Sequence, residues 1–114
     1  MQDALVRIAD HVIASGMEGP GPYRAVRDLL MGRAPRVIGI ADGERFVRDG
    51  EPALDAARRI ATVLDETVLP IQGPPGTGKT YTGARMIVEL IRHGKRVGIA
   101  AQSHKAISNL LREV

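Results

Sequence analysis

The sequence contains no cysteine and no tryptophan, and its aromatic residues are two tyrosines and one phenylalanine. Without cysteine, the chain can form neither a disulfide framework nor a thiolate metal site. So few aromatic side chains also leave little of the platform on which single-stranded nucleic acid usually stacks its bases. These absences exclude a small disulfide-stapled scaffold and argue against a binder that depends on base stacking alone.

The sequence also lacks any apolar run long enough to span a bilayer, and its polar, acidic start differs from a signal peptide. We therefore expect a cytoplasmic protein with no membrane partner. With 114 residues, of which 44% are hydrophobic and 25% charged, the chain has the composition of at most one small globular domain.

The net charge of +3 is unevenly distributed along the chain. Residues 1–78 hold nine basic and eleven acidic side chains, whereas residues 79–114 hold seven and two. A basic C-terminal part is typical of a surface that faces phosphates, either of a nucleotide or of a nucleic acid. A solvated basic helix face is the alternative that charge alone leaves open.

The chain is organised around residues 68–80, which read Val-Leu-Pro-Ile-Gln-Gly-Pro-Pro-Gly-Thr-Gly-Lys-Thr. The segment from Gly73 to Thr80 fits G-x-x-x-x-G-K-[ST], the loop that cradles the phosphates of nucleoside triphosphates. Gly76 and Gly78 carry no Cβ atom, so the backbone can approach a phosphate and adopt positive φ. A glycine-rich turn without a ligand is the alternative, but an apolar run before the loop and an amphipathic helix after it favour the functional interpretation.

Two side chains of the loop carry the expected chemistry. Lys79 is predicted to place its ammonium on the β- and γ-phosphates, and the Thr80 hydroxyl is predicted to bind Mg²⁺. We therefore take Lys79 and Thr80 as the catalytic residues, with ATP and Mg²⁺ as the cofactors. The residues predicted to contact the nucleotide are Gly73, Pro74, Pro75, Gly76, Thr77, Gly78, Lys79, Thr80 and Tyr81.

The surrounding pattern predicts an α/β fold. An apolar strand at 68–72, a helix from Lys79 to about His93 and a second parallel strand at 96–101 form a βαβ unit with a right-handed crossover. Pro70 cannot donate to a ladder, so pairing would begin at or after it. A last helix is expected within 102–114, with Ser103 as a possible N-cap.

The first half of the chain is predicted to be mainly helical. Apolar spacing favours helices at 3–15, 23–31 and 51–66, with Val26, Leu29 and Leu30 of the second helix facing inward. Residues 37–48 have the layout of a hairpin around an Asp-Gly turn, although an irregular connection fits equally well.

Leu64-Asp65-Glu66 superficially resembles the acidic motif that holds Mg²⁺ in phosphate-loop enzymes. That motif belongs on a strand after the loop, whereas this tripeptide precedes the loop at the end of a predicted helix. We interpret Asp65 and Glu66 as solvated surface carboxylates.

Ile71-Gln72 ahead of the loop, and Val97-Gly98-Ile99-Ala100-Ala101-Gln102-Ser103-His104-Lys105-Ala106-Ile107 after one helix, look like motifs I and Ia of superfamily 1 helicases of the nonsense-mediated-decay type. From about Ala56 onward the chain also resembles bacterial proteins that join a RecB-like nuclease to such a helicase. The resemblance covers about half of the chain.

The resemblance implies that Gly73 to Thr80 bind ATP and Mg²⁺, and that Ser103, His104 and Lys105 contact the backbone of single-stranded nucleic acid, DNA being expected rather than RNA. Simple N-capping by Ser103, with His104 and Lys105 exposed, is the alternative for these three residues. The implied partners are ATP, nucleic acid, the rest of the helicase and, in the fusion type, a nuclease domain.

Several expected features are absent from the sequence. Residues 51–69 contain no glutamine of the kind that reads adenine in this family, and no acidic strand motif or arginine finger follows the loop. We therefore expect an N-terminal segment at 1–50 and an incomplete RecA-like domain at 51–114 that is cut off after motif Ia. This domain is expected to fold marginally or to associate through its exposed sheet edge, and to hydrolyse ATP very slowly. An AAA+ ATPase fragment and a stand-alone nucleotide- or nucleic-acid-binding module remain as alternatives.

Overall fold

The structure of the chain is a computed structural model that describes residues 2–114. Within this range, the regular elements are helices. They are α1 (Gln2–Ser15), α2 (Arg24–Leu30), α3 (Ala53–Ala61), α4 (Lys79–Arg92) and α5 (His104–Glu113). Between residues 2 and 114, no helix combines the length and apolarity needed to cross a membrane.

The chain forms two compact units. The first comprises the part of the chain up to Arg36 together with Asp65–Leu69, and it contains α1 and α2. The second comprises Val37–Leu64 and Pro70–Val114, and it contains α3, α4 and α5.

The buried side chains of the first unit are charged. Arg27 and Asp28 of α2 are 2% and 4% exposed, whereas Leu29 and Leu30 are 51% and 66% exposed. The prediction that these two leucines face inward is therefore wrong. The physical reason is that the carbonyl groups of the glycine- and proline-rich segment 16–22 need a hydrogen-bond donor.

Arg27 supplies that donor. Its guanidinium donates hydrogen bonds to the carbonyl oxygens of Met17 (3.0 Å), Gly19 (3.0 Å), Gly21 (3.3 Å) and Pro22 (3.2 Å). A planar group with five N–H donors suits such a set of converging acceptors, which a lysine could not satisfy together. The orientation of α2 is thus set by a polar contact and not by its apolar residues.

The second unit has the apolar core. Its buried side chains are those of Val37, Ala56, Ile60, Ala61 and Ala84. Helix α4 packs against both α3 and α5, and three of the five core residues are alanines, so the helices meet through small side chains. At the edge of the contact between α3 and α4, Arg58 donates to Glu89 at 2.9 Å.

The predicted βαβ unit is not found. Among residues 2–114, the only strand-type pairing is an isolated antiparallel bridge between Val37 and Leu64. In the predicted strand 96–101, Val97 and Ile99 are half-buried while the residues beside them are exposed, as expected of one covered strand face. The side-chain pattern of a strand is therefore present, but a ladder needs a neighbouring strand to exchange hydrogen bonds, and neither 68–72 nor 96–101 has one here.

The predicted hairpin at 37–48 is likewise an irregular connection. Its turn does form, since the N–H of Glu44 donates to the carbonyl of Ala41 at 3.1 Å and Gly43 has φ +84°. The flanking residues do not pair with each other. The other predicted helices are confirmed with small changes of boundary, the largest being α3, which ends at Ala61 instead of continuing to residue 66.

Candidate functional site: the phosphate loop

The loop between residues 73 and 79 has the backbone that a phosphate cradle requires. Gly76 and Gly78 both have φ +80°, and Gly78 is the N-cap residue of α4. Because Gly78 has no side chain, no side-chain oxygen accepts from the first N–H groups of the helix. These groups and the positive end of the helix dipole remain available to an anion.

Gly73 is required for a different reason. A Cβ atom at this position would lie 2.8 Å from the Thr77 hydroxyl oxygen, which is closer than atoms pack. Thr77 is held there because its hydroxyl donates to the carbonyl of Pro74 at 2.7 Å. A side chain at the first position of the loop would therefore force Thr77 to move and break this contact.

Lys79 crosses the loop. Its ammonium donates to the carbonyl oxygens of Gly73 and of Pro74, the second at 2.7 Å. The positive charge is thus held at the mouth of the cradle by two neutral acceptors. An ammonium strongly prefers charged oxygens to carbonyls, so a phosphate is expected to draw it away from these contacts.

The remaining residues fit a triphosphate with its divalent cation. Thr80, on the first turn of α4, is exposed, so its hydroxyl is accessible as an oxygen ligand for Mg²⁺. Elsewhere in the described chain, no group of three or more His, Asp or Glu side chains could hold a metal ion. The fit to Mg²⁺ therefore rests on Thr80 together with phosphate oxygens, as in other phosphate-loop proteins.

The loop opens into a cleft of about 520 Å³. The residues that line the cleft are Pro75, Gly76, Gly78, Lys79, Thr80, Tyr81 and Glu113. Most of these belong to the predicted site, whereas Glu113 does not. Glu113 lies on the last turn of α5, and its position depends on the packing of α5 beside the start of α4, which no local sequence pattern indicates.

The predicted nucleic-acid residues lie at the other end of α5. Ser103 is the N-cap of this helix, and its hydroxyl oxygen accepts from the N–H of Ala106 at 3.2 Å. His104 and Lys105 are exposed on the first turn. Capping is therefore observed, and none of the three residues lines the phosphate-loop cleft.

Asp65 and Glu66 are surface carboxylates, as expected. Their side chains are 52% and 77% exposed, and both lie near Arg24, at 3.2 and 3.8 Å.

A glycine loop with two positive φ angles, an uncapped helix N-terminus and a lysine across its mouth define a phosphate-loop nucleotide-binding segment. Comparison with known families agrees, since residues 54–114 match the AAA domain family. Because the match covers more than half of the 114 residues, the chain belongs to this family.

Similar curated proteins are named as helicases or as regulators of transcripts. Regulator of nonsense transcripts 1 of Takifugu rubripes is 38% identical over 74 residues, which are 62% of this chain and 7% of that protein. DNA polymerase alpha-associated DNA helicase A of Schizosaccharomyces pombe is 32% identical over 72 residues, or 63% and 11%. ATP-dependent helicase NAM7 of Saccharomyces cerevisiae is 40% identical over 52 residues, or 45% and 5%.

The chain thus spans no more than 11% of the length of these relatives. No solved structure matches it. The predicted resemblance to superfamily 1 helicases of the nonsense-mediated-decay type is confirmed by the family and the relatives. Although the matching family is described as an AAA domain, relatives over these residues are named as helicases, so the AAA+ ATPase and stand-alone alternatives are not favoured.

Proposed function

We propose that this chain is the ATP-binding segment of a nucleic-acid helicase and that residues 73–81 bind Mg-ATP. The observation that carries the proposal is the preformed cradle: Gly76 and Gly78 at φ +80°, followed at once by the uncapped N-terminus of α4. Such a backbone concentrates N–H donors and partial positive charge on one small volume.

Each side chain of the loop has a distinct task in this proposal. Lys79 exchanges the carbonyls of Gly73 and Pro74 for oxygens of the β- and γ-phosphates, a charge-assisted contact that is stronger than the neutral one. Thr77 remains bonded to Pro74 and keeps the loop closed behind the ligand. Thr80 holds the divalent cation through its hydroxyl.

The cation that accompanies ATP neutralises part of the triphosphate charge when it is bound. This matters here because Glu113 adds a carboxylate to the cleft. A carboxylate near a triphosphate is repulsive unless positive charge lies between them, so nucleotide binding is expected to depend strongly on Mg²⁺.

We further propose that Ser103, His104 and Lys105 contact the phosphate backbone of single-stranded nucleic acid. Lys105 offers a charge, and His104 offers a ring N–H from the exposed first turn of α5. The hydroxyl oxygen of Ser103 accepts from Ala106, which still leaves its hydrogen free to donate. The names of the relatives include a DNA helicase and a regulator of transcripts, so they favour neither DNA nor RNA.

Translocation and unwinding driven by ATP hydrolysis are proposed for a longer protein of which residues 51–114 supply part of the first RecA-like domain. A nuclease partner domain and a cytoplasmic location belong to the same proposal. What supports it is the family match over residues 54–114 and the small share of each relative that this chain covers.

The test is calorimetric titration of the 114-residue chain with Mg-ATP. We expect saturable binding that Lys79→Ala weakens by about 100-fold, because an ammonium bonded to phosphate is removed. Lys95→Ala is the matched control, since Lys95 is an exposed lysine outside the cleft and its loss changes net charge equally. Thermal unfolding of all three chains by circular dichroism establishes that the fold is intact.

Absence of ATP binding in a chain that unfolds cooperatively would contradict the proposal. Equal loss of affinity in both lysine variants would also contradict it, since a general charge effect would then explain the binding.

The nucleic-acid contact has its own test. Fluorescence anisotropy with labelled single-stranded DNA and RNA of one sequence compares the wild-type chain with the double variant His104→Ala, Lys105→Ala. We expect the double variant to bind several-fold more weakly and to show a smaller salt dependence. Unchanged binding would remove this surface from the proposal without affecting the ATP site.

A further inference from the structure

Tyr81 lies on the first turn of α4, directly after the residue assigned to Mg²⁺, and its side chain lines the phosphate-loop cleft. The residue is 45% exposed. On one face of its ring lies the guanidinium of Arg85, with the Cζ atom 4.7 Å from the ring centroid. Arg85 is one helical turn further along α4, so the helix itself sets this contact.

The pairing of Tyr81 and Arg85 holds the ring in place. A guanidinium over an aromatic face is attractive because the ring quadrupole is negative there. With one face taken by Arg85, a flat group in the cleft can stack only on the other face or at the ring edge. The contact favours one orientation of the ring, which lowers the cost of stacking a ligand on it.

The rest of the cleft offers little that could distinguish one nucleobase from another. Beyond the loop backbone, the polar side chains that line it are Lys79, Thr80, Tyr81 and Glu113. The first two are assigned to phosphate and Mg²⁺. An ionised carboxylate such as that of Glu113 only accepts hydrogen bonds, and reading the edge of adenine takes a donor and an acceptor together.

We infer that Tyr81, held in place by Arg85, is a stacking platform for the nucleobase, so that the cleft takes nucleoside triphosphates with little regard to which base they carry. The inference rests on the proposed triphosphate site and names its substrate class. Every base has an aromatic face, so stacking tolerates all of them, whereas a hydrogen-bonding reader rejects the wrong one.

The experiment measures binding of four ligands to the 114-residue chain by calorimetry in Mg²⁺: ATP, GTP, UTP and inorganic triphosphate. The wild-type chain is expected to bind the three nucleotides within about fivefold of one another and inorganic triphosphate more weakly. Tyr81→Ala is expected to weaken all three nucleotides by about tenfold while leaving inorganic triphosphate unchanged. Tyr81→Phe, which keeps the ring, is expected to bind all four ligands as the wild type does.

Two further variants test the contributions of Arg85 and Glu113. Arg85→Met removes the guanidinium but retains side-chain length, and it is expected to weaken the nucleotides by about threefold and inorganic triphosphate not at all. Glu113→Gln turns an acceptor into a donor and acceptor, and it is expected to leave the order of the three nucleotides unchanged.

Several outcomes would overturn the inference. One is a wild-type chain that prefers a single nucleotide by more than tenfold, and another is a Glu113→Gln variant that changes the order. A third is a Tyr81→Ala variant whose affinity for inorganic triphosphate falls by the same factor as its affinity for the nucleotides, since the ring would then only shape the loop. Failure of the folded wild-type chain to bind any of the four ligands would overturn the triphosphate site itself, and the inference with it.

Discussion

The two units of this chain are stabilised by different kinds of interior. The first unit buries two charged side chains, those of Arg27 and Asp28, while its large apolar residues Leu29 and Leu30 remain exposed. The second unit buries apolar side chains, among them Ile60 of α3 and Ala84 of α4, and α4 packs against both α3 and α5. The strength of polar contacts depends on geometry and pH, whereas that of apolar contacts depends on the volume of the buried side chains. The two units should therefore lose stability through different kinds of substitution.

The proposed nucleotide site lies in the unit with the apolar interior. The phosphate loop leads directly into α4, and α4 is the helix that packs on both of its neighbours. A cradle made of backbone N–H groups must keep its shape before the ligand arrives, which a packed helix ensures better than an isolated turn. The apolar contacts of α4 therefore support the proposed nucleotide site.

The largest effect is expected where volume is removed from the apolar interior. Ile60→Ala deletes most of a side chain that is 4% exposed, and it should destabilise the chain by about 3 kcal/mol. Urea unfolding followed by circular dichroism measures the change, and Mg-ATP affinity should fall with it. Ile91→Ala, at a position 54% exposed on α4, is the control and should cost less than about 1 kcal/mol.

If the two isoleucine variants were equally stable, the second unit would not depend on apolar packing. The contrast between the units would then be lost.

A smaller effect is expected from removing the donor in the polar interior. Arg27→Ala leaves the carbonyls of Met17, Gly19, Gly21 and Pro22 without their partner and should cost about 2 kcal/mol, because water reaches part of this exposed loop. Hydrogen exchange should show the damage in the first unit. Arg33→Ala, which breaks a 2.8 Å surface pair with Glu18, should cost less than about 1 kcal/mol.

Arg27→Lys sharpens the same test. The charge is retained, but one ammonium has three donors and no planar fork, so it cannot serve all four carbonyls. A lysine variant as stable as the wild type would show that charge alone, and not the geometry of the guanidinium, holds the loop.

This contrast also explains what the sequence could predict. The helices were predictable because apolar spacing and the cap at Ser103 are local signals. The phosphate loop was predictable because its glycines and Lys79 act mainly through their own backbone and near neighbours. Features that depend on neighbouring residues can therefore be predicted from the sequence.

The incorrect or missing predictions involve contacts with residues that are distant in the sequence, or with backbone groups instead of side chains. The inward face of α2 was mistaken because the acceptors of Arg27 are backbone carbonyls, which a side-chain pattern does not show. The strands were mistaken because alternation at 96–101 predicts a strand face but cannot supply a strand to pair with it. Glu113 was missed because its place in the cleft comes from the packing of α5 on α4.

The smallest effect concerns a carboxylate at the edge of the apolar unit. Hydrogen bonds from the Arg59 guanidinium at 2.7 and 2.8 Å, and from the N–H of Arg48 at 2.9 Å, lower the pKa of Glu51 from 4.5 to about 2. A depressed folded pKa means that this contact stabilises the chain above pH 4.5 and that the contribution is lost as pH falls toward 2. Asp28 has a pKa lowered by its hydrogen bond with Arg36, so the polar unit should weaken in acid in the same direction.

Carboxyl NMR titration tests whether the two units share this sensitivity. Glu51 should titrate near pH 2 in the wild-type chain and at a clearly higher pH in Arg59→Gln, which lacks the cationic donor but keeps the hydrogen bond from the N–H of Arg48. Asp49→Asn is the control, because the pair of Asp49 with Arg45 is fully open to solvent and its loss should leave Glu51 unchanged. A Glu51 that titrates at 4.5 in the wild-type chain would mean that its contacts with Arg59 and Arg48 do not persist in solution. Acid sensitivity would then belong to the polar unit, and the difference between the two interiors would be larger than the structure indicates.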